Sequence, residues 1–196
     1  MRRRRLGFLA CVLCLVAASA EVAEAQALWQ YVQGQAVGIG GRRAGLNRPF
    51  SLQINNLTSP DDVAQLNQAL RGGGQDELLR TLSRLNAGRV TVGNNVGVRA
   101  NAIIASPTAE GGTKLTVLYE RDVAIFERRY GTRSADYRFG YAEIFLDARG
   151  RGQGTFIPAA KVKLEGDNNW VVEDFGEFPA RLMGVRARGN PVGGAR

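Results

Sequence analysis

Aromatic and arginine side chains are concentrated between residues 119 and 141 of this chain. Aromatic faces stack on planar groups and attract cations, while guanidinium groups pair with anions. The pattern therefore predicts a binding patch for planar or anionic groups. The predicted patch comprises Tyr119, Arg121, Arg128, Arg129, Tyr130, Arg133, Tyr137 and Arg138. The alternative interpretation is an ordinary alternating strand, in which carboxylates such as Glu120 and Glu127 partly neutralise the arginines.

A second cluster, nearer the C-terminal end, combines carboxylates with aromatic side chains. Its carboxylates are Glu173, Asp174 and Glu177, and aromatic residues at 170, 175 and 178 flank them. Paired carboxylates carry out glycoside hydrolysis in many enzymes. On a strand, however, Glu173 and Asp174 point to opposite faces and cannot act as a pair. These residues therefore support hydrolysis only as an alternative.

Several mechanisms are excluded by residue types that the chain lacks. It contains no histidine, and its two cysteines, Cys11 and Cys14, lie in the N-terminal leader described below. Without them there is no Ser-His-Asp triad, thiol nucleophile, His-based zinc site or attached c-type haem. Glycine-rich stretches at 38–43, 72–74 and 150–154 lack the context or the lysine of phosphate-binding loops, which favours a structural role. We expect no cofactor, no metal and no catalytic residue.

The first 27 residues are typical of a secretory signal peptide. Arg2–Arg5 form a basic start, residues 6–18 are apolar, and small residues favour cleavage after Ala25 or Ala27. An uncleaved membrane anchor is the alternative, but the apolar run is shorter than the roughly 20 residues that span a bilayer. We therefore expect an extracytoplasmic protein, periplasmic or secreted, without a transmembrane span after cleavage.

The chain is basic, with 26 Lys and Arg against 18 Asp and Glu and a net charge of +8. Cleavage of the leader removes four arginines and two glutamates, which leaves +6. Positive charge attracts nucleic acid, anionic lipid or acidic polysaccharide. Almost all of it here is arginine, a bias that GC-rich coding also produces. The net charge by itself therefore assigns no partner, and nucleic acid is disfavoured for an exported protein.

The elements that must position these residues begin with helices. Residues 28–48 are rich in Gly and Gln and are interpreted as a flexible tether, with one short strand that could dock on the domain. Ser59 and Pro60 are typical of a helix start. Gly72–Gly74 separates this helix from a second, which ends at Gly88. Because leucines recur on one face of each helix, we predict a short helical hairpin packed on a sheet.

The remaining sequence is typical of β-structure, with short turns rich in Gly, Asp and Asn. The predicted strands are Phe50–Asn55, Arg89–Gly93, Val98–Ser106, Thr113–Tyr119, Asp122–Tyr130, Arg138–Asp147, Gly154–Lys163, Asn169–Phe175 and Ala180–Arg186. Such short turns cannot hold crossover helices, so neighbouring strands should pair antiparallel. The predicted class is α+β, with the helical hairpin on a long antiparallel meander sheet, curved or partly closed as a barrel. We expect a single domain at 49–188 and a disordered C-terminal tail at 189–196.

Three segments of the chain resemble those of an uncharacterised group of exported bacterial proteins. These segments are Phe50–Ser59, Gln75–Arg80 and Thr155–Ala160, and the resemblance spans about residues 49–188. It implies export, but no particular activity, cofactor or ligand.

These observations predict an exported, non-catalytic module that binds a small or apolar ligand or an envelope component. One alternative is an envelope protein that binds anionic lipid or polysaccharide through Arg121, Arg128, Arg129, Arg133 and Arg138. A further alternative is an extracellular hydrolase that uses Glu173 and Glu177. The sequence carries no signal of the oligomeric state.

Overall fold

The computed structural model describes residues 29–121 and 133–189 of the chain. Within these ranges ten strands form one sheet, and one α-helix, α1 (Pro60–Leu82), packs against it. The strands are β1 (Tyr31–Gly38), β2 (Asn47–Ile54), β3 (Gly88–Val92), β4 (Val98–Ala100), β5 (Ala102–Pro107), β6 (Thr113–Glu120), β7 (Phe139–Leu146), β8 (Arg151–Glu165), β9 (Asn169–Phe175) and β10 (Ala180–Arg188). Short 3-10 turns occur at Gly41–Arg43 and Arg133–Asp136. The predicted signal peptide, the predicted strand at Asp122–Tyr130 and residues 190–196 of the predicted tail lie outside the described residues.

The strands are arranged as two antiparallel meanders joined by the last strand. The order across the sheet is β4-β3-β2-β1-β10-β8-β7-β6-β5, and β9 pairs with the far part of β8. Every ladder is antiparallel, which confirms the predicted antiparallel sheet. The pairing of β1 with β10 joins residues at opposite ends of the domain. Turn chemistry acts locally and does not predict such a pairing.

The sheet curls, but it does not close. No ladder joins β4 to β5, the strands at the two ends of the order, so the predicted barrel is not supported. These two strands are consecutive along the chain and separated only by Asn101. The curl lets strands from both ends of the order share one inner core. This inner core contains Val32, Ala36, Phe50, Leu52, Ile54, Ala87, Val90, Ala100, Ile103, Leu115, Val117, Tyr119, Ala142, Ile144, Leu146, Phe156, Leu182 and Val185.

The helix α1 replaces the predicted hairpin with one helix that is interrupted by a kink. Ser59 caps its start, because its hydroxyl oxygen accepts a hydrogen bond from the backbone N–H of Asp62 at 3.1 Å. Gly74 lies within it at φ +65°, a conformation that glycine adopts without a steric cost, so the predicted glycine hinge falls at this residue. In the part of the chain that the structure describes, no helix combines the length and the apolar character needed to cross a membrane.

The helix covers the outer face of β5 to β9. Leu66, Leu78 and Leu82 are fully buried there. The residue after the kink, Gln75, donates a hydrogen bond to the carbonyl of Val162 at 2.6 Å and accepts one from its N–H at 3.2 Å. The β8–β9 register shifts at this position, between Lys161 and Val162. The amide of Gln75 therefore satisfies the backbone of β8 where the ladder is irregular.

The strand β1 lies in the middle of the sheet, although we predicted a flexible tether for residues 28–48. It pairs with β2 on one side and with β10 on the other. Its inward side chains, Val32 and Ala36, are buried in the inner core. Between them Gly34 pairs with Phe50 of β2 on the same face, but it has no side chain to bury. The alternation of β1 is therefore interrupted in the sequence by a glycine at an inward position, which hides the signal from which a strand is predicted.

The single residue between β4 and β5, Asn101, is a buried link between helix and sheet. Its Nδ2 donates hydrogen bonds to the carbonyls of Leu82 at 3.1 Å and Leu85 at 3.2 Å. Its Oδ1 accepts one from the backbone N–H of Glu120 at 2.8 Å. One side chain therefore satisfies backbone groups at the end of α1, in the connection that follows it, and at the end of β6.

We expect Asn101→Ala to lower the free energy of unfolding by about 2–3 kcal/mol, because three backbone groups lose their partner in a buried place. Denaturant titration followed by circular dichroism measures this change. Asn94→Ala, at an exposed position of the β3–β4 loop, is the control, with an expected change within about 0.5 kcal/mol. Equal stabilities of the two variants would contradict this role of Asn101.

Candidate functional site

Antiparallel pairing brings four connections between strands to the same end of the curled sheet, where the strands terminate. We call this end the rim. These connections are residues 39–46, 93–97, 121–138 and 176–179. Residues 122–132 of the third connection lie outside the described residues. Loops held on a rigid sheet are the usual location of binding residues.

Two adjoining clefts open at the rim. The first has a volume of about 310 Å³, and the second about 250 Å³. They share Val92, Asn95, Phe156 and Pro158, so we treat them together as the rim groove. The remaining residues of the first cleft are Val90, Val96, Gly97, Val98, Tyr119 and Arg121. The remaining residues of the second are Ala36, Gly38, Arg43, Leu46, Arg48, Phe178 and Ala180.

Tyr119, a residue of the predicted patch, lines the inner part of the groove. Its side chain is 5% exposed and lies over Gly140 of β7, where any side chain would overlap its ring. Burial raises the pKa of Tyr119 well above its usual value, and the nearby charge of Arg121 opposes this only in part. No group within the described ranges hydrogen-bonds to its hydroxyl. Tyr119 therefore provides a protonated phenol that can donate a hydrogen bond to a ligand in the groove.

Arg121 lines the same cleft and anchors the return of the chain to β7. Its Nη1 donates hydrogen bonds to the carbonyls of Ser134 at 2.6 Å and Tyr137 at 3.0 Å. Its backbone N–H donates to the carbonyl of Arg138 at 3.0 Å. These bonds use part of its hydrogen-bonding capacity, so Arg121 positions the rim as well as lining the groove.

The other members of the predicted patch do not gather beside Tyr119. The hydroxyl of Tyr137 donates a hydrogen bond to Asp174 of β9, and its ring lies over Gly176, where a side chain would approach within 2.6 Å. Arg138 is half-buried at the start of β7. Arg133 begins a 3-10 turn. The remaining three, Arg128, Arg129 and Tyr130, lie outside the described residues.

The three candidate carboxylates have separate partners. Glu177 pairs with Arg43 at 2.8 Å, and Glu173 pairs with Lys161 at 3.5 Å. Asp174 accepts hydrogen bonds from Tyr137 and from the backbone N–H of Phe175. Each of the three carboxylates is therefore engaged in a structural contact with a neighbouring side chain or backbone group. The Arg43–Glu177 pair joins the β1–β2 connection to the β9–β10 connection across the rim.

Sequence reasoning missed Arg48, which lies at the start of β2 and lines the groove. It follows the same alternation as Phe50, Leu52 and Ile54, whose side chains are buried in the inner core. An arginine in the inward register at the start of a strand is the signal that could have identified it. Its side chain is exposed and has no carboxylate partner among residues 29–121 and 133–189. It is therefore a cation of the rim that is not neutralised there.

The rim also exposes apolar side chains. Seven large hydrophobic side chains are exposed in the described part of the chain, and four of them lie at the rim. These four are Ile39, Leu46, Val96 and Phe178, and the ring of Phe178 lies 6.0 Å from that of Phe175 at the end of β9. Val96 is 89% exposed and Phe178 is 55% exposed, and both line the groove. Exposed apolar patches mark binding sites more often than chance, because isolated domains otherwise bury such surface.

Within residues 29–121 and 133–189, no group of three or more Asp, Glu, His or Cys side chains is placed to hold a metal ion. Comparison with protein-family models, curated proteins and solved structures finds no match to this chain.

Proposed function

We propose that the protein is an exported, non-catalytic module that binds a small amphipathic ligand in the rim groove. The ligand is mainly apolar and carries one anionic group. The observation that carries this proposal is the concentration of exposed apolar side chains around a groove that contains Arg48, which has no carboxylate partner among the described residues. An apolar component of the cell envelope with an acidic head group fits this description.

The apolar part of the ligand is matched by the floor and the walls of the groove. Val92, Phe156 and Pro158 form the surface that the two clefts share, and Val96 and Phe178 extend it outward. The first cleft alone, at about 310 Å³, reaches the lower end of the range that small ligands occupy, about 300 Å³ upward, and the second adds about 250 Å³. Transfer of the exposed apolar surface from water to a ligand favours binding by about 25 cal/mol per Å².

The anionic part is matched by two groups of different kinds. Arg48 has no carboxylate partner among the described residues, whereas Arg43 is paired with Glu177. The Tyr119 hydroxyl is a neutral donor deeper in the groove. A carboxylate held near Arg48 would gain a charge-assisted hydrogen bond without displacing an existing ion pair. Arg121 contributes less, because its guanidinium already donates to Ser134 and Tyr137.

The proposal is tested by calorimetric titration of the purified protein with laurate below its micelle concentration. We expect binding by the natural chain and affinity at least about tenfold lower for Asn95→Trp, because the indole occupies space that both clefts share. Asn94→Trp is the matched control, since Asn94 is exposed in the same loop and lines neither cleft. No binding by the natural chain, or equal affinities of both variants, would overturn the proposal.

The same titration separates the charged head from the apolar body. Arg48→Gln should lower the affinity for laurate several-fold and leave the affinity for dodecanol unchanged, because only laurate carries a charge. Arg84→Gln controls for net charge. Arg84 is exposed in the connection from α1 to the start of β3, and the rim connection 93–97 follows the other end of that strand. An equal loss of affinity for laurate and for dodecanol would show that the anionic group does not bind at Arg48. Native mass spectrometry of protein purified from its own compartment would identify the natural ligand.

A further inference from the structure

One half of the sheet carries positive charge on its outer face and no negative charge. No Asp or Glu occurs in β1, β2, β3, β4 or β10, or in the part of β8 that pairs with β10, from Arg151 to Phe156. Outward side chains on these strands include six arginines, which we call the basic face. The basic face consists of Arg89, Arg99, Arg151, Arg181, Arg186 and Arg188.

The alternation of buried and exposed residues fixes the orientation of these arginines. In β3, Val90 is buried in the inner core, so Arg89 points outward. In β10, Leu182 and Val185 are buried, which turns Arg186 outward. The helix α1 covers the other half of the sheet and leaves this half open to solvent.

Register places these arginines in rows that cross the strands. The first row is Arg151, Arg186, Gln33, Ser51 and Thr91. The second row is Arg188, Tyr31, Gln53, Arg89 and Arg99. Each row crosses four strand spacings, about 19 Å. Both rows place hydrogen-bonding side chains between or beside the cations.

The rows contain like charges that directly oppose one another. Arg151 is paired with Arg186, and Arg89 with Arg99. Like charges at paired positions destabilise a sheet. Arg89 and Arg99 donate hydrogen bonds only to backbone carbonyls, at 3.3–3.4 Å, and no arginine of the basic face has a carboxylate within ion-pair distance among the described residues. An anionic partner would relieve this repulsion.

Lysines on the other half of the sheet are, by contrast, neutralised. Lys161 pairs with Glu173 at 3.5 Å, and Lys163 pairs with Glu165 at 3.3 Å. Among the described residues, the arginines of the basic face therefore lack carboxylate partners, whereas these two lysines have them. Net charge does not require this difference, because the same residues could have been intermixed.

Residues of both rows line a shallow depression of about 410 Å³. It forms where the pairing of β10 with both β1 and β8 shifts, and Gly184, which lies at this shift, has no side chain to fill the space. Tyr31, Arg186 and Arg188 line it. Side-chain hydrogen bonds with Ser51 of β2 and with Gln33 of its own strand lower the pKa of Tyr31. The depression thus combines an aromatic ring, hydroxyl and amide groups, and two cations.

We propose that the basic face binds an acidic polysaccharide, a chain of carboxylated sugars laid across the strands through this depression. Carboxylates would pair with the arginines, sugar hydroxyls would bond to Gln33, Ser51 and Gln53, and a sugar ring would stack on Tyr31. A membrane surface fits less well, because Met183 is the exposed apolar side chain in the depression and the other exposed apolar residues lie mainly at the rim. This binding is additional to that of the rim groove and uses different residues.

The test is binding of the purified full chain to immobilised polygalacturonate, with neutral dextran for comparison. We expect binding to polygalacturonate that weakens as salt rises, because screening reduces charge contacts. Arg186→Gln/Arg188→Gln should lower the affinity at least about tenfold. Lys161→Gln/Lys163→Gln removes the same number of positive charges from the other half of the sheet. It should lower the affinity less than about twofold.

Other outcomes of these measurements would overturn the proposal. Equal losses in the two double variants would show that net charge alone attracts the polysaccharide. Equal binding to dextran would remove the role of the carboxylates. Tighter binding to phosphatidylglycerol vesicles or to single-stranded DNA than to polygalacturonate would assign the basic face to a different partner. Unchanged circular dichroism spectra show that the exposed substitutions preserve the fold, and the laurate titration of the same variants tests the rim groove separately.

Discussion

A chain that begins at Asn47 is expected to remain unfolded, whereas a chain that begins at Trp29 is expected to fold cooperatively. The shorter chain lacks β1, which pairs with both β2 and β10. Its removal divides the sheet into two parts and removes Val32 and Ala36 from the inner core. The loss of two ladders and the exposure of two strand edges exceeds the roughly 5–15 kcal/mol by which domains are stable.

Thermal unfolding followed by circular dichroism compares the two truncated chains directly. The chain from Trp29 should show one sharp transition, and the chain from Asn47 should show none. A flexible tether predicts a different result, because its removal would leave the transition unchanged. Cooperative unfolding of the shorter chain would therefore contradict the central position of β1.

Gly140→Ala is expected to lower the free energy of unfolding by about 3 kcal/mol. A Cβ at this position would overlap the ring of Tyr119, and the ring is held in a buried site. Overpacking of a core costs about 1–3 kcal/mol, and more where the neighbour cannot move. The ring lines the rim groove, so the variant should also lower the affinity for laurate. Chemical denaturation gives the stability, and calorimetry gives the affinity.

Variants of Tyr119 show whether the ring is the cause. Tyr119→Phe retains the overlapping ring atoms, so it should not rescue Gly140→Ala. Tyr119→Ala removes the ring, so the double variant should be more stable than the sum of the single losses by about 1–3 kcal/mol. Gly72→Ala controls for the change of residue type, because nothing lies within 4 Å of a Cβ there. It should be neutral or stabilise by up to about 1 kcal/mol, and a similar result for Gly140→Ala would contradict the overlap.

The strands that the sequence predicted well are those with local signals. Thr113–Tyr119 and Asn169–Phe175 are rich in β-branched and aromatic residues and each follows a glycine-containing turn, and they match β6 and β9 to within one residue. The predicted strand Val98–Ser106 is divided at Asn101, because this buried polar residue bonds to helix and sheet instead of continuing a ladder. Local pattern alone does not show which long-range partner a residue will have.

The candidate site was predictable only where side chains are chemically conspicuous. Tyr119 and Arg121 were singled out as an aromatic and a cation, and both line the groove. Val92, Phe156 and Pro158 are ordinary apolar residues that come together only through the curl of the sheet. No spacing in the sequence marks them. The basic face was missed for a related reason, since its arginines come from four strands and are aligned by register.

The adjacency of β1 and β10 also determines when the domain can be completed. Tyr31 and Arg188 are paired across the sheet, so the first strand waits for the last before its second edge is covered. During synthesis, the segment from β1 to β4 must therefore persist with an open edge until β10 is available. Pairings of such high sequence separation are slow to form, on the order of milliseconds to seconds. The domain thus completes its sheet only after its final strand has been made.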